Sequence, residues 1–243
     1  MSKIYLVLGA TGGIGSIVCR RLSAAGNSVA LAGRDADRLA ALSELTGGST
    51  HAVDARSMAD VERVVGEVVE QHGALDGIVN CVGSILLKPA HRTSEEEWRA
   101  TIATNLDSAF AAVRAGAGAM IKTGGSIVLV SSAAAEIGLA NHEAIAAAKA
   151  GVAGLTRSAA ASYAARGIRV NAVSPGLVRT PLSESLTKSD ASEKASIAMH
   201  AMRRLGEPED VASAIVWLLG AEQSWVTGQV IGVDGGLGSI RAH

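Results

Sequence analysis

The stretch Ile4-Tyr5-Leu6-Val7-Leu8-Gly9-Ala10-Thr11-Gly12-Gly13-Ile14-Gly15 decides the fold. Five apolar residues, most of them strand formers, read as a buried parallel strand. The glycines that follow deliver the chain into an apolar helical pattern through a loop with little side-chain bulk. With no Cβ at Gly9, Gly13 and Gly15, the backbone can turn tightly and approach a pyrophosphate, while the free N–H groups and dipole at the helix start favour negative charge. Gly9, Thr11, Gly13, Ile14 and Gly15 are therefore candidate cofactor contacts. The spacing is Gly, three residues, Gly, one residue, Gly, which departs from the G-x-G-x-x-G fingerprint and on its own also fits a plain turn.

Outward from this crossing, strand and helix patterns alternate. A helix over 16–25 ends at Gly26, and a strand over 29–32 runs into Gly33, Arg34 and Asp35, where an adenosine ribose lies in a doubly wound fold. An acidic residue there bonds a free 2′-hydroxyl and an arginine pairs with a 2′-phosphate, so Arg34 favours NADP(H) over NAD(H). An exposed arginine at a helix start, beside Asp35, is the competing reading. A third strand over 51–53 ends at Asp54, and Ser57 with Asp60 opens a helix running to about His72. A fourth strand over 75–79 closes in Asn80, Cys81, Val82 and Gly83. Thr93, Ser94 and Glu97 open a long helix carrying Trp98, Ile102 and Asn105. A fifth strand over 126–130 meets Ser131 and Ser132, and Asn141 is the expected cap of a helix that carries Lys149 and ends near Arg166 and Gly167. The sixth strand, 168–173, stops at Pro175 and Gly176. Residues 183–202 are polar and weakly amphipathic, which suits a mobile cover over a site. A helix over 208–219 and a strand over 230–233 complete the pattern.

These elements predict one α/β domain over 1–243, a doubly wound, Rossmann-like, parallel seven-stranded sheet. Ligands in such sheets bind beyond the carboxyl ends of the strands. Gly9 to Gly15, Arg34, Asp54, Asn80, Ser132 and Pro175 to Thr180 all fall there, which argues for one shared site.

Composition narrows the function. The 243 residues are 48% hydrophobic, enough for one sizeable core. A formal net charge of −1 and the lack of a basic cluster argue against a nucleic-acid or anionic-membrane partner. No apolar run reaches the roughly 18 residues of a membrane span, and the N-terminus lacks a secretion pattern. Two cysteines, Cys19 and Cys81, suit a reducing cytoplasm, where both are expected as buried thiols. Aromatics are only 2% while Ala and Gly abound, which suggests closely packed helices and sheet rather than aromatic anchors.

Along nearly its whole length the chain resembles the short-chain dehydrogenase/reductase family. The glycine loop is similar to that family's T-G-x-x-x-G-x-G with Leu8 for the threonine, and Asn80-Cys81-Val82-Gly83 to its N-N-A-G with two changes. T-N-L-D-S-A-F at 104–110, Ser132 after I-V-L-V-S, A-A-A-K-A-G-V-A-G-L-T-R at 146–157, and G-I-R-V-N-A-V-S-P-G-L-V-R-T-P at 167–181 follow in order. Two C-terminal runs, at 203–219 and 227–236, extend the match. The resemblance implies NAD(P)-dependent hydride transfer between an alcohol and a carbonyl, with no metal. It implies that Asp54 contacts the adenine, that Asn80, Gly83, Lys149, Pro175, Gly176, Val178 and Thr180 join the cofactor site, that Ser132 orients the substrate oxygen, and that Asn105 helps hold a water chain. It also implies a homodimer or homotetramer paired through helices around 94–122 and 141–166.

One departure is sharp. The family's proton-donating tyrosine lies four residues before its lysine and thirteen after its serine, and both intervals arrive at Ile145. Tyr5 is in the first strand and Tyr163 almost four turns past Lys149, so neither substitutes. Isoleucine cannot move a proton, and loss of a general acid costs roughly 100- to 10,000-fold. Three replacements are open: His142, on the same helix face if the helix reaches it; Lys149 itself, directly or through water; or a substrate that brings its own acidic group or is reduced at a C=C bond, where a donor at this position matters less. Ile85, Leu86, Leu87, Ile137 and Leu139 offer an apolar lining, or else belong to the core. A nucleotide-binding chain that has lost turnover and acts as a partner subunit is the alternative to an enzyme.

Overall fold

In the computed structural model, which describes residues 2–240, one parallel sheet organises the chain. Residues 1 and 241–243 of the expected 1–243 unit lie outside the described residues. The strands are β1 (Ile4–Leu8), β2 (Ser28–Gly33), β3 (Ser49–Ala52), β4 (Gly77–Asn80), β5 (Gly125–Val130), β6 (Ile168–Pro175) and β7 (Val230–Val233), ordered β3-β2-β1-β4-β5-β6-β7. Every pairing is parallel, which confirms the doubly wound fold.

Strand alternation sorts the apolar side chains into two layers. Leu6, Leu8, Ile78, Ile127 and Leu129 point to one face, covered by α3 (Met58–His72), α5 (Ser108–Met120) and α6 (Glu143–Tyr163). Tyr5, Val7, Val79, Val128 and Val173 point to the other, covered by α1 (Gly13–Ala24), α2 (Ala36–Thr46) and α8 (Pro208–Leu219). Small residues set the spacing as expected: a Cβ on Gly116 of α5 would come within 2.6 Å of Ile78 Cγ2. No helix among the described residues is long and apolar enough to cross a membrane.

Caps fix the helix ends. Ser57 accepts from the Asp60 amide and Gly73 closes α3 in the left-handed region, so that helix keeps its expected bounds. Ser94 and Glu97 form a reciprocal capping box on α4 (Glu95–Ile102). The long helix expected beyond it is interrupted by a π turn, Ala103–Asp107, that leads into α5. Asn141 is not the cap of α6: it takes φ +63° in the preceding turn, and His142 occupies the cap position. The polar stretch over 183–202 is partly ordered as a short turn, Glu184–Leu186, and as α7 (Asp190–Met199), which buries none of its residues.

Candidate active site

The sheet order reverses between β1 and β4, and there the first crossing opens a crevice. The Cys81 amide donates to the Leu8 carbonyl and draws the two strand ends together. Gly9, at φ +74°, lies so close to that junction that a Cβ would sit 3.1 Å from the Cys81 and Val82 backbone, so glycine is required both by conformation and by space. No side chain caps α1, whose first turn faces the crevice. The resulting cleft, about 460 Å³, is lined by Gly9, Thr11, Gly13, Ile14, Gly15, Arg34, Asp54, Gly83 and Thr180, all candidates from sequence. Thr180 covers the loop, since a Cβ on Gly13 would meet its Cγ2 at 2.7 Å.

The ribose end is more basic than Arg34 alone suggests. Asp35 accepts from the Arg38 amide as the cap of α2, so its carboxylate serves the helix. Arg38 itself lines the cleft, its guanidinium donating to the Thr11 carbonyl. Sequence reasoning missed Arg38 because its only local signal, a position one helical turn beyond Arg34, is common on exposed helices. Arg56, also missed, grips Asp54 with Nε at 2.9 Å and Nη2 at 2.7 Å, and this bonding holds the carboxyl down to about 2.

Asn80 is not in the cleft lining, and its side chain serves the adjoining turn. Buried, it donates to Ser108 Oγ at 3.0 Å and accepts from the Val82 amide at 3.1 Å, and so shapes the turn that carries Gly83. Beyond Gly83 lies the polar group expected around the reacting centre. A Cβ on Gly83 would stand 3.2 Å from Asn105 Oδ1 and 3.6 Å from Lys149 Nζ, so the structure brings these two together at the inner end of the cleft. Asn105 sits in the π turn, which rotates it off the regular face of α4, as such turns do at functional sites. Lys149 is buried and donates to the Val130 carbonyl at 2.8 Å, and burial pulls its ammonium down to about 8. Ser131 Oγ ties the Lys149 carbonyl to the end of β5. Ser132 Oγ accepts from the Ala134 amide at 3.2 Å, and its own proton meets no acceptor among the described residues.

Ile145 is buried one turn before Lys149. His142 stands outside the first turn of α6, so it does not continue the face of residues 145 and 149; its Nδ1–H donates to the Ala140 carbonyl at 2.8 Å. Pro175, Gly176 and Val178 are not among the residues that line this cleft, although Thr180 and Pro181 of the same segment are. Val178 is buried and bridges to Gly206, while Gly176 lines a second cavity of about 360 Å³ with His200. His200, unremarkable in the sequence, is buried and satisfied on both nitrogens, accepting from the Leu177 amide at Nε2 and donating from Nδ1 to the Ser196 carbonyl. Ile85, Leu86, Leu87, Ile137 and Leu139 are all absent from the buried core: Leu86, Ile137 and Leu139 are half-buried, while Ile85 and Leu87 are exposed, as are Leu182, just before the 183–202 stretch, and Met199 within it. Cys81 is half-buried with its thiol pushed up to about 12 by burial, and Cys19 is raised further, so both are unpaired and neutral.

Residues 9–238 match the family described as Enoyl-(Acyl carrier protein) reductase. The chain is 36% identical over 241 residues to a Thermotoga maritima protein named 3-oxoacyl-[acyl-carrier-protein] reductase FabG, covering 97% of each. A solved short-chain type dehydrogenase/reductase from Mycobacterium ulcerans superposes with TM-score 0.93 at 35% identity, covering 100% of this chain and 93% of that one. A single-substitution variant of actinorhodin polyketide ketoreductase, solved with NADPH, superposes with TM-score 0.93 at 30% identity, covering 98% of this chain and 97% of that one.

Proposed function

We propose, from the premise that this chain belongs to the short-chain dehydrogenase/reductase family and is an oxidoreductase of that kind, that it uses NADP(H) in preference to NAD(H) to interconvert a small, largely apolar carbonyl compound and its alcohol, with a proton donor other than tyrosine. The observation that carries this reading is the meeting of Asn105 and Lys149 at Gly83, where the cleft ends. A dinucleotide fits the residues present: glycine spaces that a Cβ would fill cradle its pyrophosphate, and guanidinium groups stand at its ribose end. When bound, the nicotinamide supplies the hydride. Ser132 holds the substrate oxygen through its free hydroxyl proton, Lys149 holds the ribose and carries positive charge toward the developing alkoxide, and Asn105 fixes the turn between them. Thr180 and residues 183–202 cover the site, and Ile85, Leu87 and Leu182 give it an apolar lining.

The Thermotoga maritima relative's name makes a 3-oxoacyl thioester the first substrate to test. An activated C=C is a second reading favoured by Ile145, because hydride delivery to carbon leaves an enolate that Ser132 can stabilise without a phenol at that position. The exposed Trp98 of α4 and Phe110 of α5 support pairing of copies as a homodimer or homotetramer, and the unpaired thiols support a reducing, cytoplasmic setting.

Two tests follow. Arg34→Ala and Arg38→Ala each weaken NADPH binding by about 10- to 100-fold, the worth of one charge-assisted hydrogen bond, and leave NADH within twofold, as measured by fluorescence titration. Equal losses for both nucleotides remove these arginines from the 2′-phosphate. The second concerns pH. Lys149 is an ammonium below about 8, and the thiol that acts on it, Cys81, stays neutral, so carbonyl reduction at saturating NADPH falls as pH rises through about 8. A rate flat from pH 7 to about 9.5 excludes Lys149 as the proton source.

A further inference from the structure

The proposed reduction leaves one question, the route of the proton to the substrate oxygen when residue 145 is isoleucine. We propose that Ser84 hands that proton over, recharged from Lys149. The inference rests on the reading of the site as a carbonyl reductase.

Three observations converge on Ser84. Its amide donates to Asn105 Oδ1 at 3.2 Å, and its Oγ accepts from Asn105 Nδ2 at 2.9 Å. The second Nδ2 proton of Asn105 goes to the Thr101 carbonyl at 2.9 Å, so the amide is fully committed and cannot itself serve as a movable donor. Ser84 Oγ, in contrast, receives a hydrogen bond and gives none among the described residues, which leaves its proton directed away from Asn105 and available. Second, Ser84 follows Gly83, the residue beside Lys149 Nζ. Lys149 directs one proton to Val130, and the ammonium has two more. Third, Ser84 is half-buried and joins Gly83 of the cleft wall to the exposed Ile85 and Leu87, two of the apolar residues proposed to meet the substrate.

The step balances. The carbonyl carbon accepts a hydride from a reduced nicotinamide, and the π pair moves onto oxygen. That oxygen takes the Ser84 hydroxyl proton as the Ser84 O–H bond breaks. Ser84 Oγ takes a proton from the Lys149 ammonium, directly or through one water, and solvent reprotonates the Lys149 amine. The products are the alcohol and the oxidised nucleotide. Ser132 keeps its separate task of orienting the oxygen. It lies on the β5 side of Lys149 and its Oγ is tied to the Ala134 amide.

The test compares S84A, S84T and the double variant S84A/I145Y on a 3-oxoacyl thioester. Ser84→Ala lowers kcat by about 100-fold, within the range for loss of a proton donor, while KM and the NADPH dissociation constant stay within twofold. Ser84→Thr, which keeps the hydroxyl, retains most of the rate. In the I145Y background a phenol bypasses the relay, so adding S84A changes kcat by less than about threefold. Loss of Asn105 support alone would persist in that background, and a persistent loss overturns the relay. So does an S84A variant with the wild-type rate, and in both cases the reductase reading survives. A wild-type chain that binds NADPH yet reduces no carbonyl overturns both. A crystal complex with NADP and a ketone gives a readout independent of rate: a carbonyl oxygen within about 3.2 Å of Ser84 Oγ supports the relay, and one held by Ser132 alone overturns it.

Discussion

Ile145→Tyr raises kcat for carbonyl reduction by about 100-fold, the lower end of what a well-placed general acid contributes. The geometry for this gain already exists. Residue 145 is buried one helical turn before Lys149, so the two side chains share a face and a phenol there lies beside an ammonium. That charge favours the phenolate and lowers the phenol's pKa toward the working range. Tyrosine is longer than isoleucine, and accommodating it in a packed position costs about 1–3 kcal/mol of stability, which a lower melting temperature registers separately from the rate. Initial rates with NADPH and a panel of ketones and 3-oxoacyl thioesters decide the matter. A gain over a measurable wild-type rate fits an enzyme with a slower resident donor. Activity created in a wholly inert chain instead identifies a nucleotide-binding protein without turnover on those substrates. No gain at all, with NADPH still bound, means that the substrate oxygen does not approach residue 145, and the C=C reading then gains ground.

The sequence exposes the scaffold more fully than the site. Period and punctuation are local signals, so Ser57 with Asp60, Ser94 with Glu97, and Gly167 at φ +70° mark real helix ends. The limits of α8 and β7 coincide with their expected residues for the same reason. Misreadings arise where a residue's role depends on a distant partner. That Asn80 also braces the turn before Gly83 is not visible until Ser108, 28 residues away, is seen to take its amide. Asp35 beside Arg34 is ambiguous until its carboxylate is found on the Arg38 amide. The π turn at Ala103–Asp107 leaves no mark on the apolar period, yet it sets the direction of Asn105. His142 continues the face of Lys149 only if it takes helical dihedrals, and it instead caps α6 at φ −108° and ψ 11°.

Gly15→Ala destroys cofactor binding, with NADPH affinity reduced more than about 100-fold and the melting temperature lowered by about 6–12 °C, as expected for roughly 3 kcal/mol in a chain of this size. Alanine suits a helix interior, and by propensity alone this substitution within α1 stabilises by up to about 1 kcal/mol. Space reverses the sign. The new Cβ stands 2.2 Å from the Gly9 carbonyl oxygen, 3.0 Å from its carbon and 3.2 Å from Ala10 Cα, all backbone atoms without rotamers to yield. Gly9 has little room to retreat, because even a Cβ on it would meet the Cys81 and Val82 backbone at 3.1 Å, and its amide is held by the Ala32 carbonyl. Helix α1 must therefore tilt away from β1, and its first amides leave the position from which they meet the pyrophosphate. Gly13→Ala is the control: its Cβ meets Thr180 Cγ2 at 2.7 Å, the end of a side chain on a covering loop that can move, so affinity falls by about tenfold or less. Fluorescence titration and thermal unfolding of the two variants read both quantities. Equal behaviour of the pair, or undiminished NADPH binding by Gly15→Ala, shows that the first crossing is not where the dinucleotide is held.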